Sequence, residues 1–385
     1  MVGGRTLQDD RQTKAVAQTA LAVVEPDDAT WDAFTQEHPR GHLLQSSRWG
    51  ALKARFGWER RCVAVAGAEG LRAGAQILLR RRLGVSVAYV PRGPLFAGDA
   101  EADTLLLATL DRLARRQRAV FLRLEPNTIE QEGDAAALHS FLLIHGFGPA
   151  APIQPRSSVH LDLAPPADRL LAAMSKGHRA DIRRAEREGV VVRAGQNTAD
   201  LDAFYMIMAA TGARGEFAIH SRAYYQAVWE LFRSGTDTWA VGHDGVLPYD
   251  EYARLLLAER DNTPLAAFLV FAWAGIGMYL YSGATEAGLK SGANHALQWQ
   301  ALLWAKEQGC ACYDFWGIPD ALGQAAAAED AAERERLEQV ARDDSLFGVF
   351  RFKKGFGGRI VRYLPAYDYV YIPALYALWR RRFGG

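Results

Sequence analysis

The chain has 385 residues, of which 49% are hydrophobic and 23% charged, enough apolar material for one large core or two smaller ones. Its 45 basic and 44 acidic residues leave a formal net charge of +1, which argues against a protein that coats DNA. Any polyanion must therefore bind to a local basic patch. The three cysteines, Cys62, Cys310 and Cys312, cannot all pair, and we expect reduced core residues in a cytoplasmic protein.

Two segments bear on membrane attachment. Residues 1–19 are polar and lack an apolar stretch, which predicts a disordered tail and neither a secretion signal nor an anchor. Residues 262–285 contain no charge and are long enough to span a bilayer as a helix. Pro264, two glycines and several aromatic residues favour strands instead. We therefore predict a buried β-hairpin over residues 265–281 and no integral membrane segment.

One order of elements occurs twice in the chain. The first copy is predicted as strands at 61–66, 73–79 and 85–90, a helix at 102–115 and a strand at 120–124. The second copy has strands at 255–258, 265–271 and 278–281, a helix at 293–306 and a strand at 311–315. A fixed offset of about 190 residues indicates an internal duplication. This order is typical of acetyltransferase-like lobes, so the predicted fold is α+β with two such lobes in tandem.

The division between the copies follows from local composition. Pro165 and Pro166 stop any helix and mark the link between the lobes. We place the first lobe at residues 20–163 and the second at 164–359. The Ala- and Glu-rich residues 319–342 predict a helical insertion with a solvated face.

A helix predicted over residues 170–188 carries a basic stripe. The apolar side consists of Leu171, Met174, His178, Ile182 and Ala185, and the basic side consists of Lys176, Arg179, Arg183 and Arg187. Cations at this spacing can bind phosphates through charge and through the bidentate geometry of Arg. A solvated face paired with neighbouring glutamates explains the pattern equally well.

Residues 348–359 form a Gly-rich segment with several cations. It lacks the Gly-Lys-Ser/Thr ending of a phosphate-binding P-loop, and a plain hairpin turn is one interpretation. However, Lys353 and Lys354 lie between Phe352 and Phe356, and aromatic packing would fix an ammonium group where it can stabilise negative charge. If residues 351–354 form a strand, the two lysines point to opposite faces.

Several other chemistries are not supported by any motif. The sequence contains no His-Glu-x-x-His, no Cys-x-x-Cys and no Gly-x-Ser-x-Gly, so we predict neither a metal site nor a triad hydrolase. It also lacks the pyrophosphate-binding loop of acyl-coenzyme A N-acetyltransferases. We therefore expect no cofactor.

Taken in order, segments over residues 43–367 resemble the Fem family of peptidoglycan bridge-forming aminoacyltransferases. The segments are Leu44-Gln45-Ser46 with Trp49 and Gly57-Trp58, Tyr89-Val-Pro-Arg-Gly-Pro94, Arg123-Leu-Glu125-Pro126, residues 176–190, Gln298-Trp299, Tyr313-Asp314-Phe315-Trp316-Gly317-Ile318 and Phe352-Lys353-Lys354-Gly355-Phe356. The last segment is the most specific one. Singly each is weak, but their order over most of the chain is a strong signal.

The resemblance implies a fold and an activity. It implies two acetyltransferase-like lobes, with a C-terminal segment at residues 360–385 that returns to the first lobe. It also implies transfer of an amino acid from aminoacyl-tRNA to the side-chain amine of the third stem-peptide residue of a peptidoglycan precursor, either UDP-linked or lipid-linked. The second lobe has no long charged heptad run, so we expect no coiled-coil arm, as in family members that act on soluble nucleotide-linked precursor. Residues 363–383 leave peripheral membrane contact open, but docking onto the first lobe is the interpretation we favour.

The resemblance also implies roles for particular residues. The precursor site would comprise Lys53, Arg222, Tyr224, Tyr225 and Tyr281, although the spacing also fits His220 at the arginine position. Catalysis at the aminoacyl ester would use Phe352 and Lys353, and Glu125 would help the amine lose its proton. Lys176, Arg179, Arg183 and Lys354 are the candidates for tRNA or phosphate binding. The alternatives are an N-acyltransferase that acts on another amine and a non-catalytic RNA-binding module.

Overall fold

The computed structural model describes residues 20–215, 218–233 and 252–383. Two seven-stranded mixed sheets, each covered by helices, form the tandem acetyltransferase-like α+β architecture that the repeat predicts. The tail predicted at residues 1–19 lies outside the described residues.

Helices and strands follow one another closely along the chain. The first part of the chain forms β1 (Ala22–Val24), α1 (Asp28–Glu37), α2 (Ser47–Arg55), β2 (Glu59–Gly67), β3 (Gly70–Arg82), β4 (Val85–Val90), α3 (Ala100–Arg116), β5 (Ala119–Leu124), α4 (Ala135–Ile144) and β6 (Gly148–Ala150). The second part forms β7 (Ser157–Asp162), α5 (Ala167–Ala173), α6 (Lys176–Arg187), β8 (Val191–Ala194), α7 (Thr198–Gly215), α8 (Arg222–Phe232), β9 (Ala253–Arg260), β10 (Thr263–Trp273), β11 (Ile276–Ala284), α9 (Glu286–Ser291), α10 (Ala293–Glu307) and β12 (Cys312–Gly317). The chain ends with α11 (Asp320–Ala327), α12 (Ala331–Arg342), α13 (Phe347–Gly355), β13 (Arg359–Arg362), β14 (Ala366–Val370) and α14 (Pro373–Phe383).

The internal duplication is confirmed strand by strand. In the first copy β2, β3 and β4 pair antiparallel, and β5, which follows α3, pairs parallel with β4. In the second copy β9, β10 and β11 pair antiparallel, and β12, which follows α10, pairs parallel with β11. The two sheets therefore repeat one pattern of local pairing plus one crossover helix.

The uncharged segment at residues 262–285 is the buried hairpin that the sequence predicts. Strands β10 and β11 pair from Ala266 with Ala284 to Trp273 with Ile276. Ala274 and Gly275 form the tight turn, both at positive φ, as a two-residue hairpin loop requires. Within the described ranges, no helix combines the length and the apolar character needed to cross a bilayer.

The lobes exchange strands at two places that differ from the predicted boundaries. The second sheet has the order β13-β7-β12-β11-β10-β9-β8, so β7 belongs to it although it precedes residue 163. The first sheet has the order β1-β2-β3-β4-β5-β14-β6, and the return to it begins only after β13. Prolines mark where a helix begins, but they do not show which sheet offers a free edge to the preceding strand.

The C-terminal segment docks onto the first sheet. Strand β14 pairs antiparallel with β5 and β6. The guanidinium of Arg123 donates two hydrogen bonds to Asp368, at 2.7 and 2.6 Å, in a buried ion pair. The rings of Tyr376 and Trp379 on α14 lie 5.3 and 4.7 Å from the ring of Phe121.

A shared apolar core joins the two lobes. Trp49 and Leu52 of α2 pack with Phe204 of α7 and with Trp229 of α8. Because these side chains are buried from water on both sides of the junction, their burial fixes α2 against the second lobe. The Nη1 of Arg48 adds a hydrogen bond to the carbonyl of Leu231 at 2.6 Å. This packing places Lys53 beside α8.

Two predicted elements are wrong in type or length. The helix predicted over 170–188 is interrupted, since Met174 and Ser175 have extended backbone conformations. The Ser175 Oγ accepts a hydrogen bond from the amide of His178 at 3.2 Å. Serine is a strong N-cap, and here it starts a second helix. Residues 351–354 lie in helix α13 and not in a strand. The glycines beyond Lys354 mark the end of that helix, as glycines commonly do.

The remaining predictions on the architecture have clear outcomes. Residues 319–342 form the helices α11 and α12. The longest helix in the described ranges, α7, has 18 residues, and no coiled-coil arm is present there. All three cysteines are free, and Cys310 is buried.

Candidate functional site

A cleft of about 590 Å³ lies over the second sheet, between α7, the residues before α8, β11, β12 and α13. Four of the residues proposed from the sequence line it: Tyr225, Tyr281, Phe352 and Lys353. The structure therefore brings together groups that are up to 128 positions apart in the chain, as from Tyr225 to Lys353. One end of the cleft carries Lys353, and the other end adjoins a cluster of tyrosines beside Lys53.

Lys353 is held at one end of the cleft by main-chain oxygens. Its side chain is only 4% exposed, and its Nζ donates to the carbonyls of Trp316 at 3.1 Å and Gly317 at 2.6 Å. Burial lowers the pKa of Lys353 to about 7, although the carboxylate of Asp314 opposes this change. A fixed ammonium group that is itself buried from water is well suited to stabilise an oxyanion.

Helix α6 supports the segment that carries Lys353. The Nε2–H of His178 donates to the carbonyl of Phe352 at 2.8 Å, and its Nδ1 accepts the Ser175 hydroxyl at 2.9 Å. Burial lowers the pKa of His178, which favours the neutral imidazole with its proton on Nε2. A Cβ at Gly355 would lie 1.9 Å from the His178 ring, so glycine is required there. The ring of Phe352 also packs against His295, with centroids 5.0 Å apart.

Lys53 lies beside the tyrosine cluster. Its Nζ donates to the hydroxyl of Tyr224 at 2.9 Å and lies 4.7 Å from the centroid of the Trp49 ring. The hydroxyls of Tyr224 and Tyr281 are 3.5 Å apart, which connects Lys53 to the cleft. Burial lowers the pKa of Lys53 to about 8.

The structure separates Arg222 from this cluster and places His220 in it. Arg222 is half-buried, forms an ion pair with Asp202 and donates to Gln226 at 3.0 Å. The ring of His220 stacks on Tyr224 at a centroid distance of 3.9 Å and lines the cleft. Arg222 opens helix α8 after the capping residue Ser221, a position that directs it towards α7. The substrate-binding role predicted for Arg222 therefore has no support from the geometry.

Glu125 has its hydrogen-bond partners in the first sheet and in the segment before β7. Its buried carboxylate accepts the hydroxyl of Tyr89 and the amides of Ile153 and Gln154, the last at 3.1 Å. Burial raises the pKa of Glu125, and these donors oppose the change. Glu125 does not line the cleft. These bonds hold the segment that leads into β7, so the geometry does not support the predicted role in removing a proton from the amine.

The predicted phosphate-binding cations have different environments. Lys176 and Arg183 are exposed on α6, and neither forms an ion pair with any residue that the structure describes. Arg179 donates to the carbonyls of Ala172 and Met174, which end helix α5. Lys354 is exposed and donates to the carbonyl of Gly358 at 2.7 Å. Only Lys176 and Arg183 are therefore fully available to a polyanion.

A buried polar cluster below the cleft was not assigned any role from the sequence. Asp314 accepts the amide of Trp316 at 2.7 Å and the Ser158 hydroxyl, and its other oxygen lies 3.6 Å from the Nε2 of His160. The signal was present, because Asp314 and Trp316 belong to one of the segments that carry the family resemblance. Among the described residues, no group of three or more His, Cys, Asp or Glu side chains could hold a metal ion.

Comparisons with known proteins agree with this fold. A model of the FemAB family matches residues 27–141, 143–238 and 249–381. A lipid II:glycine glycyltransferase of Staphylococcus saprophyticus is 24% identical, covering 91% of this chain and 93% of the relative. A lipid II:glycine glycyltransferase of Staphylococcus aureus is 22% identical, covering 90% of this chain and 92% of the relative.

Solved structures show the same architecture. The crystal structure of FemX matches with a TM-score of 0.77 at 20% identity, covering 93% of this chain and 99% of that one. A tandem GNAT protein from the clavulanic acid biosynthesis pathway matches with a TM-score of 0.51 at 12% identity, covering 91% and 98%. The fold is thus shared more widely than the family. Because the family model extends over most of its length, the chain belongs to the FemAB family.

Proposed function

We propose that this protein transfers an amino acid from aminoacyl-tRNA to the side-chain amine of the third stem-peptide residue of a peptidoglycan precursor. Membership of the FemAB family and the glycyltransferase activity named for its relatives support this proposal. The observation that carries it is the ammonium of Lys353, fixed by two carbonyls at one end of the cleft.

The reaction needs little chemistry from the protein. The amine attacks the ester carbonyl, the ester C–O bond breaks, and the ribose oxygen leaves with a proton that the amine gives up. A peptide bond and free tRNA result, with no covalent enzyme intermediate. Because the ester is already activated, alignment and stabilisation of the transient oxyanion are the main requirements. Lys353 supplies the positive charge for that oxyanion.

The other end of the cleft suits the precursor's diphosphate and sugar. Lys53 supplies a cation, which is mostly protonated at neutral pH since its pKa is about 8. The phenols of Tyr224 and Tyr281 supply donors beside it, and the ring of His220 supplies a flat face. Tyr225 is buried, and its hydroxyl accepts a hydrogen bond from the amide of His220 at 3.3 Å. We therefore propose that Tyr225 holds His220 in place beside Tyr224.

For the acceptor we propose the lipid-linked form, since the relatives are named for lipid II. The absence of a coiled-coil arm from the ranges that the structure describes is instead a feature of family members that use the nucleotide-linked form. For the donor, the exposed Lys176 and Arg183 on α6 provide a surface for tRNA phosphates.

One experiment tests the donor and the acceptor together. The protein is incubated with a total charged-tRNA pool and, in separate reactions, with lipid II or UDP-linked muropeptide, and the product is identified by its mass. We expect a product with one amino acid added to the third stem residue. The amount of product should be larger with lipid II than with UDP-linked muropeptide, and no product should form when the tRNA is deacylated. The Lys353→Met variant should form little product, and the matched variant Lys354→Met should form it normally. Transfer from an acyl carrier or a free amino acid without tRNA would overturn the proposed donor.

A further inference from the structure

The turn that holds Lys353 is in an unusual conformation. Trp316 has φ +63°, a left-handed value that a bulky side chain adopts only under constraint. The constraint is visible, because the Trp316 amide donates to the Oδ1 of Asp314 at 2.7 Å. In this conformation the carbonyls of Trp316 and Gly317 both point at the Nζ of Lys353.

Asp314 is itself fixed from the opposite side. It is 2% exposed, and its carboxylate accepts the hydroxyl of Ser158 on β7. The hydroxyl of Tyr363 lies 3.4 Å from its Oδ2, and the Nε2 of His160 lies 3.6 Å from the same oxygen. Strands β7 and β12 and the segment after β13 therefore meet at this one carboxylate.

We propose that Asp314 is a positioning residue for Lys353. Its carboxylate holds the Trp316 turn that presents two carbonyls to the Lys353 ammonium, and its negative charge favours the protonated form of that group. His160 is the counter-charge that limits this effect. The inference rests on the proposed function only where it assigns the transfer step to Lys353.

The charges around the pair support this arrangement. Burial lowers the pKa of His160, but Asp314 more than offsets this and raises it to about 10. Burial raises the pKa of Asp314, but His160, the Ser158 hydroxyl and the Trp316 amide more than offset this and hold it well below its usual range. His160 and Asp314 are therefore both ionised at neutral pH. Lys353 has a pKa of about 7 because burial lowers it and the negative charge of Asp314 offsets only part of that change.

Other titratable and charged groups face the cluster. The guanidinium of Arg92 lies 3.9 Å from the ring centroid of Tyr363 and 5.4 Å from that of Trp316. His42 packs against Trp316 and stays neutral, since burial lowers its pKa to about 3. Tyr363 and Tyr279 stay neutral because burial raises their pKa values. Cys312 lies beside His160. Only Asp314 contributes a negative charge among these groups.

The test measures the titration of Lys353 directly. The rate of trace acetylation of Lys353 is followed between pH 6 and 10 by peptide mass spectrometry, which needs no substrate. Asp314→Asn keeps an oxygen for the Trp316 amide and loses the charge, so the pKa of Lys353 should fall by about one unit or more. His160→Gln removes the positive charge of His160, and the pKa of Lys353 should rise.

Asp320→Asn is the matched control. Asp320 accepts a hydrogen bond at 2.8 Å from the hydroxyl of Ser157, which lies on β7 next to Ser158, and it forms an ion pair with Arg362. It makes no contact with Lys353. We expect no change in the Lys353 titration in this variant. An unchanged titration in Asp314→Asn, or a shift of the same sign in both test variants, overturns the proposal. If Asp314→Asn fails to fold, the direction in His160→Gln decides.

Activity is a separate readout. If the proposed transfer holds, the alkaline limb of the single-turnover rate should move with the Lys353 titration in each variant. A labelling shift without any transfer in the wild-type protein refutes the proposed function and leaves the positioning role standing.

Discussion

Replacing Lys353 by Met should make the protein more stable and almost inactive. The ordinary pKa of lysine is 10.5, and in the folded protein it is about 7, so burying this charge at pH 6.5 opposes folding. The difference corresponds to roughly 5 kcal/mol as an upper bound. Loss of the donor for the carbonyls of Trp316 and Gly317 offsets about 1–3 kcal/mol of this. We expect a net gain of roughly 2 kcal/mol in the free energy of unfolding at pH 6.5.

The pH dependence gives this prediction a definite sign. Between about pH 7 and 10.5 the folded protein has lost the Lys353 proton while the unfolded chain keeps it. The wild-type protein therefore gains stability from this group as the pH rises through that window, and the Met variant does not. The advantage of the variant should be largest below pH 7, should vanish at about pH 8.5 and should reverse above it, since the slope in this window is about 1.4 kcal/mol per pH unit.

The assays are urea unfolding at pH 6.5, 8 and 9.5 and single-turnover transfer from charged tRNA. The rate should fall by roughly a hundredfold or more, as when one oxyanion donor is removed. Lys354→Met is the matched control, because Lys354 is exposed and its Nζ donates to the carbonyl of Gly358. It should change neither quantity appreciably. A Lys353→Met variant that is less stable than the wild type at pH 6.5, or that transfers at the normal rate, would refute this reasoning.

Three further predictions concern the rest of the site. Lys53→Met should raise KM for the precursor by roughly tenfold or more with little change in kcat, whereas Arg222→Ala, which removes an exposed ion pair with Asp202, should leave both unchanged; an equal effect of the two would contradict the placement of Lys53. Gly355→Ala should lower kcat and the melting temperature together, because the new Cβ would lie 1.9 Å from the His178 ring; a normal rate would show that the α13 position tolerates movement. Glu125→Gln should cost about 1–3 kcal/mol in urea unfolding and change the rate only a few-fold, and a hundredfold loss of rate would restore Glu125 as a catalytic group.

Short-range sequence patterns were sufficient to predict several elements of the fold. The β10–β11 hairpin could be predicted because a proline, a glycine turn and aromatic residues all favour strands over one short segment. The duplication could be predicted because the same order recurs at a fixed offset. The Phe352–Phe356 segment could be selected as a candidate from its composition and resemblance, and the structure places Phe352 and Lys353 in the lining of the cleft. The helical state of this segment could not be predicted, since four residues show no reliable period.

Which charged groups lie in contact depends on long-range packing. Ser158 and Asp314 are 156 positions apart, and Lys53 and Tyr224 are 171 apart, so no local pattern relates them. Strand exchange brings Ser158 into the second sheet, and the core shared by α2 and α8 brings Lys53 to Tyr224. Arg222 and Glu125 have the right residue types, but nearby partners satisfy them elsewhere. The sequence shows which side chains can carry a charge. Their burial and their partners determine which of them remain available for chemistry, and both depend on long-range packing.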